Sequence, residues 1–203
     1  MREVNELLNV DAPAWPLLLQ ELSGTDVPVE VLPGDAGTGR ASLLQLQVSA
    51  RSNLGGIVLN CGGLLVDHGW LRIFGSPNGA DAERLPGLVE INAMPSAFDP
   101  AWRPGAGLVV AHDVLGGVFA LNGSDPQEAG RPGGPGEIVY FAPDALGWEA
   151  LGAGHSARSR TTGFSPFAGV VPERISTQSV AASVGVGRKQ GAPGAMTSAG
   201  CPA

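Results

Sequence analysis

Residues 62–76 read GGLLVDHGWLRIFGS. Two apolar runs, Leu64-Leu65-Val66 and Trp70-Leu71-Arg72-Ile73-Phe74, are separated by Asp67-His68-Gly69. The runs carry the aliphatic and aromatic residues that suit a pleated, half-buried surface. Gly69 takes a positive φ at no steric cost and Asp67 can bond the backbone ahead of it, so the break reads as a β-hairpin turn. The pattern returns twice: GLVVAH at 107–112 and VFALN at 118–122 flank residues 113–117, and IVYFA at 138–142 and the run 148–151 flank residues 143–147. Successive hairpins at this spacing predict an antiparallel meander.

Upstream of the hairpins the apolar period lengthens. Val4, Leu7 and Leu8 share one side of a short helix within residues 2–9. Asp11-Ala12-Pro13 opens a second helix, with Asp11 as its cap, a stripe of Trp15, Leu18, Leu19 and Leu22, and Ser23-Gly24 as its stop. VPVEVL at 27–32 alternates like a strand, and Pro28 places it at a sheet edge. Residues 41–48 read as a third helix and GGIVLN at 55–60 as a strand. Residues 75–106 form a long irregular connection with one apolar piece at 85–91 and Trp102 to pin it to the body. Helices grouped ahead of hairpins define an α+β class: an antiparallel sheet of successive hairpins with the N-terminal helices packed on one face.

Composition narrows the functions. A chain of 203 residues is long enough for one domain with a real core. The formal net charge of -7 and the lack of a basic stripe argue against nucleic acid as partner. No apolar run is long enough to span a membrane, and the polar N-terminus has no leader pattern, so the expected location is the cytoplasm. Cys61 and Cys201 are too isolated for a disulfide framework or a zinc site, and Cys61 reads as a small buried hydrophobe.

Several constellations bear on chemistry. GDAGTGRA at 34–41 has the glycine spacing of a phosphate-binding loop between a strand and a helix, but Arg40 and Ala41 stand where lysine and a hydroxyl are needed. Nucleotide binding there is an unfavoured alternative. Asp67-His68 and His112-Asp113 are two acid–imidazole dipeptides at hairpin ends. If the ends met, the four residues would form a metal cluster for a small hydrolase, whereas solvated turns are the plainer reading. Neither Gly154-His155-Ser156 nor Gly163-Phe164-Ser165 completes a nucleophile elbow. Asp144 and Glu149 flank the third turn and read as turn chemistry rather than a glycosidase pair. The tryptophans read as core, and Trp70, if exposed beside acids, as an anchor for a partner.

NVDAPAWP at 9–16, VEVLP at 29–33, LQLQVSARSNLGGIV at 44–58, the hairpin at 62–76, GGVFALNG at 116–123 and VYFAPDALGWEALGAGHS at 139–156 together resemble the bacterial domain-of-unknown-function 2625 family over about three quarters of the chain. That family carries no assigned catalytic residues. The hairpin pattern also resembles, at the level of fold, the SUKH superfamily of yeast cell-wall regulators and bacterial immunity proteins (SMI1/KNR4-like), and fold does not set function. From about residue 156 the chain departs from the family. Its last stretch is a Ser, Gly, Ala, Arg and Pro mixture with Glu173 as its single acid. Such a mixture, starting inside a motif, is what a GC-rich gene read out of frame produces. The expected organisation is therefore one α+β domain over residues 1–155 and a poorly structured, frameshift-derived or divergent tail over 156–203.

The function expected is a non-enzymatic protein-binding domain, immunity-like, holding a basic protein on its sheet or hairpin tips. Asp67, His68, Trp70, His112 and Asp113 are its candidate binding residues. No catalytic residue, metal or cofactor is assigned. The metal-dependent hydrolase is the first alternative.

Overall fold

The hairpin at 62–76 is present in the computed structural model, which describes residues 1–79 and 85–151. Its strands are β2 (Gly63–Val66) and β3 (Leu71–Phe74), paired so that Leu64 faces Ile73 and Val66 faces Leu71. Around them stand β1 (Val29–Leu32), β4 (Gly107–Asp113), β5 (Val118–Asn122), β6 (Ile138–Ala142) and β7 (Gly147–Ala150). The sheet runs β1-β2-β3-β4-β5-β6-β7 with every neighbouring pair antiparallel. β1 is the edge strand that Pro28 predicts. A bulge at Val110 lets Val109 face Ala120 while Ala111 faces Phe119.

Because side chains alternate along a strand, register assigns the faces. Leu64, Val66, Leu71, Ile73 and Ala111 share one face, and all are buried. They join a single core with Leu7 of α1 (Val4–Leu8), Leu18 of α2 (Ala14–Ser23), Leu43 of α3 (Ala36–Leu46) and Leu54, Ile57 and Val58 of α4 (Asn53–Asn60). The arrangement is thus α+β, with these helices on one face of the meander. Trp15, Trp70 and Trp102 pack partly buried against that core.

Four local readings are corrected by packing. Residues 55–60 are not a strand but the body of α4. Ser52 caps the helix, its Oγ accepting the N–H of Gly55 at 3.0 Å. A Cβ on Gly55 would collide with the carbonyl of Ser49, so the glycines that weaken helix propensity are what let α4 sit down. The segment 36–41 is not a loop either: α3 starts at Ala36, with Asp35 as its cap accepting from Thr38 N at 2.6 Å. Gly39 lies where α3 crosses α4, and a Cβ there would come within 2.6 Å of Val58 O. Asp11 does not cap α2. That helix follows Pro13, and Ala14 N bonds Ala50 O at 2.8 Å instead. The apolar piece at 85–91 is a helical turn, α5 (Leu88–Ile91). Just beyond α5, Asn92 replaces a strand where β3 has ended, its amide exchanging two bonds with the backbone of Val109 at 2.7 and 2.9 Å.

Cys61 is buried, and its thiol faces Ile57 O at 3.4 Å. Burial pushes the thiol up to about 11, as befits a core hydrophobe rather than a nucleophile. Among the described residues no helix is long and apolar enough to cross a membrane. The expectations for residues 156–203, including Cys201 and the Ser156 and Ser165 motifs, lie outside the described residues.

Candidate functional site

The meander separates its connections by length. The three tight turns, 67–70, 113–117 and 143–146, fall at one end of the sheet, and the long connections fall at the other. Register places the turns side by side: Leu71 faces Asp113, and Val118 faces Phe141. Backbone bonds join the first two, Val114 N to Trp70 O at 3.1 Å, and tie the first to the edge strand, Asp67 N to Pro28 O at 2.8 Å. The result is a rim of three hairpin tips.

At the first tip Asp67, His68 and Gly69 all have positive φ, of 50°, 56° and 88°. Gly69 behaves as its residue type predicts. The bond from Asp67 to the chain ahead comes from its carbonyl, which accepts Trp70 N at 3.0 Å. His68 is exposed, and Trp70 is half-buried against the core. At the second tip the Asp113 carboxylate organises the turn, with Oδ1 accepting Leu115 N at 2.9 Å and Gly117 N at 2.8 Å. Its Oδ2 accepts the Tyr140 hydroxyl at 2.8 Å, locking the tip to β6. Burial, then the bond to Asp113, raises the Tyr140 phenol above its ordinary range. The locked turn leaves Val114 and Leu115 outside, 58% and 49% exposed. At the third tip Leu146, with φ of 49°, is 78% exposed beside Asp144, whose Oδ1 accepts Ala145 N at 2.9 Å.

His112 goes elsewhere. Neighbouring residues of a strand point to opposite faces, so His112 leaves the side that Asp113 occupies. It packs edge-on to Phe74 with ring centroids 5.0 Å apart and stands across from Arg72. Burial first, then the Arg72 charge, holds its imidazole below the ordinary range, against the pull of Asp113. Of the five residues singled out from sequence, Asp67, His68, Trp70 and Asp113 thus belong to the rim and His112 to the far face. Among the described residues no three His, Cys, Asp or Glu side chains gather closely enough to hold a metal ion. Asp144 is at the tip, and Glu149 stands across from Tyr140 in the body of the sheet. The residues missed from sequence are Val114, Leu115 and Leu146, and the signal for them was present: aliphatic side chains at turn positions, where polar ones are the rule.

Two hollows are formed by described residues. One, of about 250 Å³, lies between α3 and residues 89–98. Its polar groups hold its own walls: Gln45 exchanges bonds with the Asp99 backbone at 2.8 and 2.9 Å, Ser42 Oγ donates to Thr38 O at 2.8 Å, and Glu90 takes Gly87 N at 2.8 Å. The other, of about 160 Å³, sits at the β1 end of the rim beside His68.

Fold and site together define an α+β domain whose meander gathers its turns into one exposed edge. The chain belongs to the DUF2625 family of proteins of unknown function, whose model matches residues 4–159. It is 38% identical over 156 residues to an uncharacterized protein, YbfG, of Escherichia coli strain K12, covering 77% of this chain and 66% of that one. It is 33% identical over 152 residues to an uncharacterized protein of Haemophilus influenzae, covering 74% of this chain and 62% of that one. The chain therefore spans slightly less than two thirds of the length of these curated relatives. No solved structure matches it significantly. These comparisons do not show a link to the immunity-protein superfamily.

Proposed function

We propose that the chain is a protein-binding domain of the cytoplasm, immunity-like in its mode of action, that presents the rim of hairpin tips to a basic protein. The observation that carries this reading is the alignment of three turns, two of which place Val114, Leu115 and Leu146 in solvent, with Asp67 and Asp144 among them. Single exposed aliphatic residues are ordinary, but several on adjacent tips of one edge make a patch, and patches mark contact surfaces. The chain's net charge of -7 steers a basic partner toward it. The turns are also built to hold shape, since Asp113 fixes the second tip through three bonds before any partner arrives. Such preorganisation reduces the ordering cost of association.

The alternatives are less well supplied. A phosphate-binding loop needs free backbone N–H groups at 34–41, yet those residues run into α3 and the Asp35 carboxylate occupies the helix start. A metal-dependent hydrolase needs His112 beside Asp113, and the strand sends them apart. The test is a double variant, Val114→Ser with Leu146→Ser, immobilised beside the wild type in host lysate. The reading expects the wild type to retain a basic protein that the folded variant loses. Equal retention by both would refute it.

A further inference from the structure

We propose that the hollow between Glu30, Leu65 and His68 is the seat of an arginine side chain of the basic partner. This rests on the rim as a protein-binding surface and names what one position on it recognises.

The hollow is lined by Pro28, Val29, Glu30, Leu65, His68 and Gly69, and its volume of about 160 Å³ suits one long side chain rather than a cofactor. Its chemistry is divided as a guanidinium side chain is divided. Pro28 and Leu65 supply apolar surface for the methylene stem. The exposed imidazole of His68 offers a flat face on which a planar guanidinium stacks, which an ammonium does not do as well. Glu30 supplies a carboxylate able to take two parallel N–H bonds. Glu30 stands directly across from Leu65 in the sheet, so strand register sets the spacing of carboxylate and floor. His68 is held by a turn tied at both sides, Asp67 N to Pro28 O at 2.8 Å and Trp70 N to Asp67 O at 3.0 Å.

The second observation is what these groups do not do. Asp35, Gln45, Glu90 and Asp113 are all engaged within the chain, each on backbone groups and Asp113 also on the Tyr140 hydroxyl. The side chains of Glu30 and His68 have no hydrogen-bond or ionic partner among the described residues. A free carboxylate on a rigid strand, above an apolar floor and beside an unengaged ring, is a surface left ready for a cation.

The test uses the full chain at low ionic strength, with N-acetyl-arginine amide as probe and N-acetyl-citrulline amide, its uncharged isostere, as control. Both are followed by amide chemical shifts. The arginine probe should give saturable shifts at Glu30, Leu65, His68 and Gly69. Affinity should fall at least tenfold with the citrulline probe and in Glu30→Gln. It should be unchanged in Glu21→Gln, which alters an exposed acid of α2. Shifts spread evenly over the acidic surface, or a Glu30→Gln variant that binds like the wild type, would overturn the seat. The two readings separate cleanly. If Val114→Ser with Leu146→Ser loses the partner while Glu30→Gln keeps it, the rim stands and the arginine seat falls. If the probe binds at Glu30 while the double variant keeps its partner, the seat stands and the rim reading falls.

Discussion

At the scale of single residues, Asp113 shows how a turn is made rigid. One carboxylate serves two backbone N–H groups of its own turn and the hydroxyl of Tyr140 on another hairpin. A hydrogen bond to a charged group contributes more than a neutral one, so Tyr140→Phe should cost about 1.5–3 kcal/mol in chemical denaturation. The change removes no apolar area, so a shift in midpoint at constant slope is the expected signature. His112 carries a pH consequence. Its folded imidazole resists protonation through burial and Arg72, whereas the unfolded chain takes up its proton near the ordinary value of 6.5. The unfolded state therefore binds more protons as pH falls below that value, and stability drops. His112→Phe should flatten the loss of thermal stability between about pH 7.5 and 5. An unchanged acid limb would show that other groups govern it. The sequence announced the residue types at these positions. That Asp113 works for its turn while His112 faces Phe74 follows from strand alternation once the register is set.

At the scale of elements, the glycines of α3 and α4 were the hardest to read. AGTGRA at 36–41 and GGIVLN at 55–60 carry residues that disfavour helices in isolation, yet both lie in helices. Gly39 has the backbone of Val58 against it and cannot accept a Cβ without moving α4. Gly39→Ala should therefore destabilise the domain by about 1–3 kcal/mol, although helix propensity alone favours alanine by about 1 kcal/mol. Gly37, whose added Cβ would meet only the flexible Asp35 carboxylate at 3.2 Å, should tolerate alanine far better. Thermal unfolding of the two variants distinguishes close helix packing from simple propensity. The strands were legible because β2 to β7 alternate or run apolar between turn residues. Short glycine-containing apolar runs suit a strand or a helix equally, and only the neighbour they touch decides.

At the scale of the whole molecule, acids outnumber bases, 19 to 12. The chain's formal net charge is -7, and among the described residues no ion pair is formed. Self-repulsion of that kind weakens the compact state and is screened by salt. The melting temperature should rise between about 10 and 150 mM sodium chloride, where the Debye length falls from roughly 30 to 8 Å. A fall, or no change, would point to attractive charge pairs that the fold does not display. The same salt should weaken capture of a basic partner, so stability and binding move in opposite directions.

The amino-acid sequence by itself determined the class of this protein. Hairpin turns, apolar alternation and the edge proline are local properties, each written within a few consecutive residues, and together they specify a meander preceded by helices. Family membership is likewise written in contiguous motifs. The tertiary structure alone decided what depends on distant segments meeting: which glycines serve helix contact, which face His112 takes, and that three separate turns share one edge. The rim exists because a meander with tight turns at one end must stack those turns in strand order, about 4.8 Å per strand. That alignment puts Val114 and Leu115 on one tip and Leu146 on the next at the same end of the sheet, although no local pattern in the chain connects them.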